Sequence, residues 1–220
     1  MMQVKVCGMR EPQNITALLE LPIDFIGLIF YSKSKRYVGK DTTLPQWIIE
    51  HEERFGLIKK VGVFVNAGID EILNATHDYH LDYIQLHGAE SPEYCQELRL
   101  LWSASSVREA KLIKAFSVDE KFDFTKVAAY EPHCSFFIFD TKGVDYGGNG
   151  LQFDWSLLSA YEGNTPFLLS GGIGPDSVEA LQKVTHPLLF GVDINSKFET
   201  EPAKKDMTSV ATFVKAVKTI

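Results

Sequence analysis

What most restricts the fold of this chain is an alternation that runs from one end to the other. Short, continuously apolar, β-rich runs take turns with amphipathic or helix-forming stretches. The runs occupy residues 3–7, 25–30, 58–65, 83–86, 110–116, 135–140, 167–170 and 188–193. Between them lie candidate helices at 12–21, 44–54, 70–77, 92–102, 118–130, 155–161, 175–183 and 202–217. Pro45, Pro92, Pro175 and Pro202 stand near proposed helix starts, where a missing N–H costs little. A strand wetted on one face alternates apolar and polar residues, whereas an unbroken apolar run marks a strand covered on both faces. Eight strand–helix units in 220 residues fit a compact α/β architecture, a (β/α)8 TIM barrel, better than an open doubly wound sheet, which could also hold eight strands. No low-complexity linker divides the chain, so residues 1–220 are read as a single domain.

Composition narrows the partners. The 29 Asp+Glu outnumber the 22 Lys+Arg for a net charge of −7, which argues against a nucleic-acid binder or a polybasic membrane binder, since both need a cationic face. With 45% hydrophobic residues the chain is not disordered. No apolar run approaches the roughly 18 residues that cross a bilayer, and the first residues lack the apolar stretch of a signal peptide. Cys7, Cys95 and Cys134 are spaced for neither a disulfide framework nor a C-x-x-C metal motif. A reduced, cytoplasmic, soluble protein is expected, as a monomer or a homodimer.

A barrel sorts candidate residues by address, because active sites gather at the C-terminal ends of the strands. Cys7 ends the first strand, His87 follows the fourth, Asp140 ends the sixth and Asp193 ends the eighth. Cys134 precedes the sixth strand on the opposite rim, and Cys95 falls in a helix, so one cysteine is placed for chemistry. Most lone cysteines are small apolar core residues, and an Asp at a strand end often caps a loop. Strands one and six, however, are three apart in a ring of eight, so Cys7 and Asp140 would face each other across the mouth. Such a pair suits proton transfer on a small sugar.

The segment Ser170-Gly171-Gly172-Ile173-Gly174-Pro175 follows the seventh strand and opens a proposed helix. Backbone N–H groups unobstructed by Cβ atoms can surround a phosphate there, and a helix N-terminus adds favourable potential. Asp193-Ile194-Asn195-Ser196 holds the equivalent place after the eighth strand. Gly171, Gly172, Asn195 and Ser196 are therefore the candidate phosphate-binding residues, at the address where this fold commonly binds one. No G-x-S-x-G nucleophile turn, no clustered metal ligands and no G-x-G-x-x-G after a strand are present. No metal and no external cofactor are expected.

Several stretches, taken in order and spacing, resemble the phosphoribosylanthranilate isomerase family of tryptophan biosynthesis across nearly the whole chain. They are Lys5-Val6-Cys7-Gly8-Met9-Arg10, Gly27-Leu28-Ile29-Phe30 with Ser34-Lys35-Arg36-Tyr37-Val38, and Val61-Gly62-Val63-Phe64-Val65-Asn66. Further on come Ile84-Gln85-Leu86-His87-Gly88, Gly147-Gly148-Asn149-Gly150 before Phe153-Asp154-Trp155, Leu169-Ser170-Gly171-Gly172-Ile173, and Val192-Asp193-Ile194-Asn195-Ser196 with Glu199 beyond. The resemblance implies an Amadori rearrangement of N-(5-phosphoribosyl)anthranilate to the 1-deoxyribulose phosphate ketone. It implies Cys7 as general base and Asp140 as general acid. It also implies Arg36 as the group meeting the anthranilate carboxylate, for which a planar guanidinium is suited. His87 and Asp193 join Arg36 as candidate substrate-binding residues. Gly147–Gly150 is a candidate lid or an ordinary loop.

The proposed roles need tuned protonation states. With unperturbed side chains, the acid would be protonated about one part in 10³ at neutral pH and the thiol ionised about 3% of the time. The productive combination would cost about 6 kcal/mol. Two expectations follow. The apolar strand before Asp140 should desolvate its carboxyl. Lys5, on the same strand face as Cys7, should lie inside the barrel, pair with Asp193 and bias Cys7 toward thiolate.

The chain departs from the family pattern at Ser32 and Lys35, where Pro is usual, and at Lys197 and Ala203, where Gly is usual. If the backbone at residue 197 requires positive φ, lysine there is strained by roughly 1 kcal/mol. The rival readings are the histidine-pathway isomerase, a ribulose-phosphate epimerase, and a phosphate-binding barrel without catalysis. The first would use paired carboxylates and a second glycine-rich site in the first half of the chain, and the second a His/Asp metal cluster.

Overall fold

The computed structural model describes residues 1–39, 42–141 and 155–220. The strands are β1 (Gln3–Val6), β2 (Phe25–Ile29), β3 (Lys59–Phe64), β4 (Tyr83–Leu86), β5 (Lys111–Val118), β6 (Phe136–Thr141), β7 (Phe167–Ser170) and β8 (Leu189–Ile194). Each pairs in parallel with its sequence neighbours, and β8 returns to β1 to close the ring. The eight apolar runs thus become the eight strands of a (β/α)8 barrel.

Around it lie α1 (Pro12–Leu18), α2 (Leu44–Glu50), α3 (Glu52–Phe55), α4 (Ile69–Tyr79), α5 (Pro92–Ala104), α6 (Val178–Leu181) and α7 (Met207–Val217). The helix expected at 44–54 is broken at His51, whose ring stacks on Trp47. Two other candidate helices are only 3-10 turns, Phe124–Tyr130 and Trp155–Ala160, and Val118 belongs to β5. The first of these turns is set by Asp123, which accepts the Thr125 N–H at 3.0 Å. The helix expected from residue 202 starts only at Met207. Asp206 caps it by accepting the N–H groups of Thr208 and Ser209, and the preceding residues form an antiparallel hairpin, β9 (Glu199–Glu201) with β10 (Lys204–Lys205). Pro202 sits between those two strands, not at a helix start. The stretch 147–150 and residues 153–154 lie outside the described residues.

Inside the barrel, side chains stack in layers drawn from alternate strands. Phe25, Tyr83, Phe136 and Phe190, from the even strands, make an aromatic floor with ring centroids 5.1–5.6 Å apart in their contacts. Val61, Ile113 and Leu168 pack against that floor from the odd strands. Two to four residues farther along the strands the composition changes, at positions on the same face because side chains alternate. The inward positions become Cys7, Val63 and Ser170 from odd strands and Gln85, His87 and Asp140 from even ones, all lining the open end. An aromatic base therefore supports a polar mouth.

Candidate active site

The mouth is a cavity of about 430 Å3 at the C-terminal ends of the strands, a size suited to a small ligand. Cys7, His87, Asp140, Gly171, Gly172, Asp193, Asn195 and Ser196 line it, so eight of the nine sequence-derived site residues converge on one space. The ninth, Arg36, lies at its edge. A Cβ on Gly8, the neighbour of Cys7, would come within 2.6 Å of the Arg36 Cδ.

Cys7 follows the last residue of β1, and its N–H still donates to the Ile194 carbonyl at 2.9 Å, which keeps it in register with the barrel. The residue is buried, 5% exposed. A side chain at Gly27 would place its Cβ 2.8 Å from the sulfur, so a glycine on β2 makes the room that the thiol occupies. Below it, Lys5 is fully buried and donates to both Asp193 oxygens at 3.0 Å. The expected pair is present, aligned by the Lys5–Asp193 register of β1 and β8. Burial opposes the charge on Lys5, but Asp193 and Cys7 together hold its pKa above the ordinary value.

The expected pull of Lys5 toward thiolate is present at Cys7, but it is not the largest influence there. Burial pushes the thiol up; Lys5 and Lys205 pull it down, while the negative charge of Asp193 adds to the rise. Burial outweighs the pull of the two lysines, and the net direction is toward thiol.

Asp140 occupies the last inward position of β6. Its side chain is 31% exposed and lies 3.4 Å from the His87 Nε2. The apolar residues before it, Phe137 and Phe139, point outward into the packing beneath the helices and do not enclose the carboxyl. The carboxyl stays partly open to water. His87 is held from below by Gln85, with Gln85 Nε2 and His87 Nδ1 2.7 Å apart. Gln85 is buried, and its Oε1 has no hydrogen-bond partner. An amide inside an otherwise apolar strand, two residues before a histidine, is the local signal that marks Gln85.

Gly171 and Gly172 have φ of 92° and 66°, a left-handed path that successive residues with side chains would resist. They curve the chain around the cavity. The helix expected to open directly after them is instead the four-residue α6, and the Gly174 N–H is taken by the Ser177 hydroxyl at 2.9 Å. Helix potential therefore contributes little here. Lys197 needs no positive φ, since Ser196–Phe198 forms a 3-10 turn, so the strain expected there does not arise. Ala203 does adopt φ of 73°, which accounts for the usual glycine at that position.

Arg36 is engaged on one edge. Its Nε donates to Glu199 Oε1 at 2.8 Å and its Nη2 to Oε2 at 2.5 Å. Glu199 also receives Lys205 Nζ at 2.7 Å. Lys205 could not be tied to the site from local sequence, because residues 202–217 read as helix, and Glu199, noted beyond the 192–196 stretch, carried no assigned role. Among the described residues no cluster of three or more His, Cys, Asp or Glu could hold a metal ion, and no helix is long and apolar enough to cross a membrane.

A family model described as N-(5'phosphoribosyl)anthranilate (PRA) isomerase matches residues 4–216. The chain belongs to the N-(5'-phosphoribosyl)anthranilate isomerase family. The enzyme of that name from Parabacteroides distasonis is 47% identical over 216 residues, covering 98% of this chain and 93% of the relative. The crystal structure of phosphoribosyl anthranilate isomerase from Thermotoga maritima superposes with a TM-score of 0.82 at 32% identity over 100% of both chains. A phosphoribosyl anthranilate isomerase solved in complex with reduced 1-(o-carboxyphenylamino)-1-deoxyribulose 5-phosphate superposes with a TM-score of 0.80 at 30% identity, again over 100% of both. Membership in the N-(5'-phosphoribosyl)anthranilate isomerase family bears out the resemblance and makes the chain an isomerase of tryptophan biosynthesis. It sets aside the histidine-pathway reading.

Proposed function

We propose that the chain converts N-(5'-phosphoribosyl)anthranilate to 1-(2-carboxyphenylamino)-1-deoxyribulose 5-phosphate, with Asp140 as general acid and Cys7 as general base. The observation that carries this reading is the convergence of a buried thiol and a solvent-reaching carboxyl on one cavity beside the Gly171-Gly172 turn. Asp140 protonates the furanose ring oxygen as the bond from that oxygen to C1 breaks, and the anthranilate nitrogen takes up the positive charge as an iminium. The Cys7 thiolate removes the C2 proton, and the C2–H electrons neutralise the iminium to give an enolamine. The C2 hydroxyl proton is then lost and C1 gains one, yielding the ketone. The substrate nitrogen is the electron sink in this scheme.

Gly171, Gly172, Asn195 and Ser196 are assigned to the phosphate, and His87 and Asp193 to the sugar between the two catalytic groups. Arg36 is assigned to the anthranilate carboxylate. Its fork to Glu199 uses the Nε–Nη2 edge, and the Nη1–Nη2 edge of a guanidinium can form a second bidentate pair. Substrate binding would also cover the part of Asp140 that is open to water. The enzyme works on a small sugar phosphate, as one domain, and its three unpaired cysteines suit a reduced cytoplasm.

The test is turnover by the purified protein of freshly prepared N-(5'-phosphoribosyl)anthranilate, followed by the loss of substrate fluorescence. Conversion at a rate proportional to enzyme, with the aminodeoxyribulose phosphate as product, is expected. Binding of the substrate without conversion contradicts the proposal.

A further inference from the structure

The hairpin of β9 and β10 builds a charged cluster that the acid–base pair does not explain. Glu199 accepts from Arg36 through both oxygens, from Lys205 Nζ at 2.7 Å, and from the Ala203 N–H at 3.1 Å. Lys205 donates also to Asn195 Oδ1 at 2.8 Å, and its side chain has no exposed surface. The Lys205 backbone is clamped by Asn14 of α1, which accepts its N–H at 2.8 Å and donates to its carbonyl at 3.0 Å. The hairpin is thereby locked to the barrel at the residue that carries the ammonium.

A buried ammonium is costly unless it is matched. Charge counting indicates what it does here. Arg36 and Glu199 alone form a neutral pair, which has little net attraction for an anion. Lys205 restores a net charge of +1 to the group while never reaching the cavity itself. Burial works against ionisation of Glu199, yet the hydrogen bonds from Arg36 and Lys205 keep its pKa below the ordinary carboxylate value. The carboxylate is therefore a fixed anvil that holds one edge of the guanidinium.

We propose that Lys205 is a positioning residue for substrate selection: it offsets Glu199, so that Arg36 is oriented by that carboxylate without being neutralised by it and selects N-aryl ribosylamine phosphates carrying an ortho carboxylate. The inference rests on the assignment of Arg36 to the substrate carboxylate.

Two substrates separate the possibilities: N-(5'-phosphoribosyl)anthranilate and N-(5'-phosphoribosyl)aniline, which lacks the carboxylate. Each is made by condensing ribose 5-phosphate with the arylamine. The ratio of their kcat/KM values in one preparation does not depend on how much of the protein is active. Lys205→Met lowers that preference by about tenfold or more, as expected for one lost charge at an intermediate effective dielectric, and the change falls in KM for the carboxylated substrate. The double variant Lys205→Met with Glu199→Gln, in which the cluster again carries a net +1, regains part of the preference. Should Lys205→Met give no soluble protein, Lys205→Gln takes its place.

An unchanged preference in the Lys205 variant, with a collapsed preference in Arg36→Met, overturns the inference and leaves the Arg36 assignment standing. An unchanged preference in Arg36→Met removes that assignment and the inference with it. A loss in the Lys205 variant with no recovery in the double variant also overturns the inference, reducing Lys205 to a structural clamp.

Discussion

On the Cys7 side of the barrel mouth the ionisable groups are closed off from water. Lys5 is fully buried, Asp193 is 7% exposed and the Lys205 side chain is hidden under the hairpin. Across the cavity, the side chains of Asp140 and His87 are 31% and 35% exposed and 3.4 Å apart. The difference divides the work between protein and ligand. The proton affinity of Cys7 is set by the fold, through burial that raises it against the pull of Lys5 and Lys205. On the proposed roles, the surroundings of the Asp140 carboxyl are completed when substrate covers it. Raising the thiol has a use: a more basic thiolate is a better proton acceptor, though fewer molecules carry it at neutral pH.

The contrast can be broken at several points. Removing the acid has the largest effect. Asp140→Asn should lower kcat by about a thousandfold, within the range for general acid–base groups, in a steady-state assay. Its residual activity should report the Cys7 thiol alone. Because burial raises that thiol, the residual rate should climb about tenfold per pH unit and level off only above the ordinary thiol range. A residual rate that is flat with pH would remove Cys7 as the titrating base.

Next in size is Lys5→Met, which leaves Asp193 buried without its cation and should destabilise the barrel by about 3–5 kcal/mol in urea unfolding. His87→Asn on the opposite wall should cost less than about 1 kcal/mol, because a partly exposed pair contributes little. Equal costs would mean that the two walls are not distinct. The smallest change is Ala203→Gly. It relieves a left-handed alanine at the turn that presents its N–H to Glu199, and should stabilise by about 0.5–1 kcal/mol, read as a rise in the urea midpoint.

The strands were legible because each is covered on both faces, so an unbroken run such as Phe136-Phe137-Ile138-Phe139 has no other comfortable place. The positions of Cys7, Asp140 and the Gly171-Gly172 turn followed from strand ends alone. Lys5 and Asp193 followed from side-chain alternation plus the need of a buried ammonium for a partner. The helices were less legible, since Lys126, Ala128 and Ala129 suit an α-helix yet lie in a 3-10 turn fixed by Asp123. Pro202 looked like a helix start because the signal that matters, Asp206 capping Met207, stands four residues on. With that hairpin unseen, Lys205 could not be placed beside Arg36, for their meeting depends on barrel closure and not on any local pattern. The balance at one atom was equally out of reach: Lys5 and Asp193 were expected near the sulfur, while the pull of Lys205 and the dominance of burial needed the folded geometry.

Single-turnover kinetics of Cys7→Ser against the unsubstituted enzyme, with substrate-analogue binding measured alongside, addresses the central chemistry most directly. A fall in the chemical step of about a thousandfold, with analogue affinity held within a few-fold, is the result expected. Near-unaltered turnover in that variant would mean that some other group takes the C2 proton.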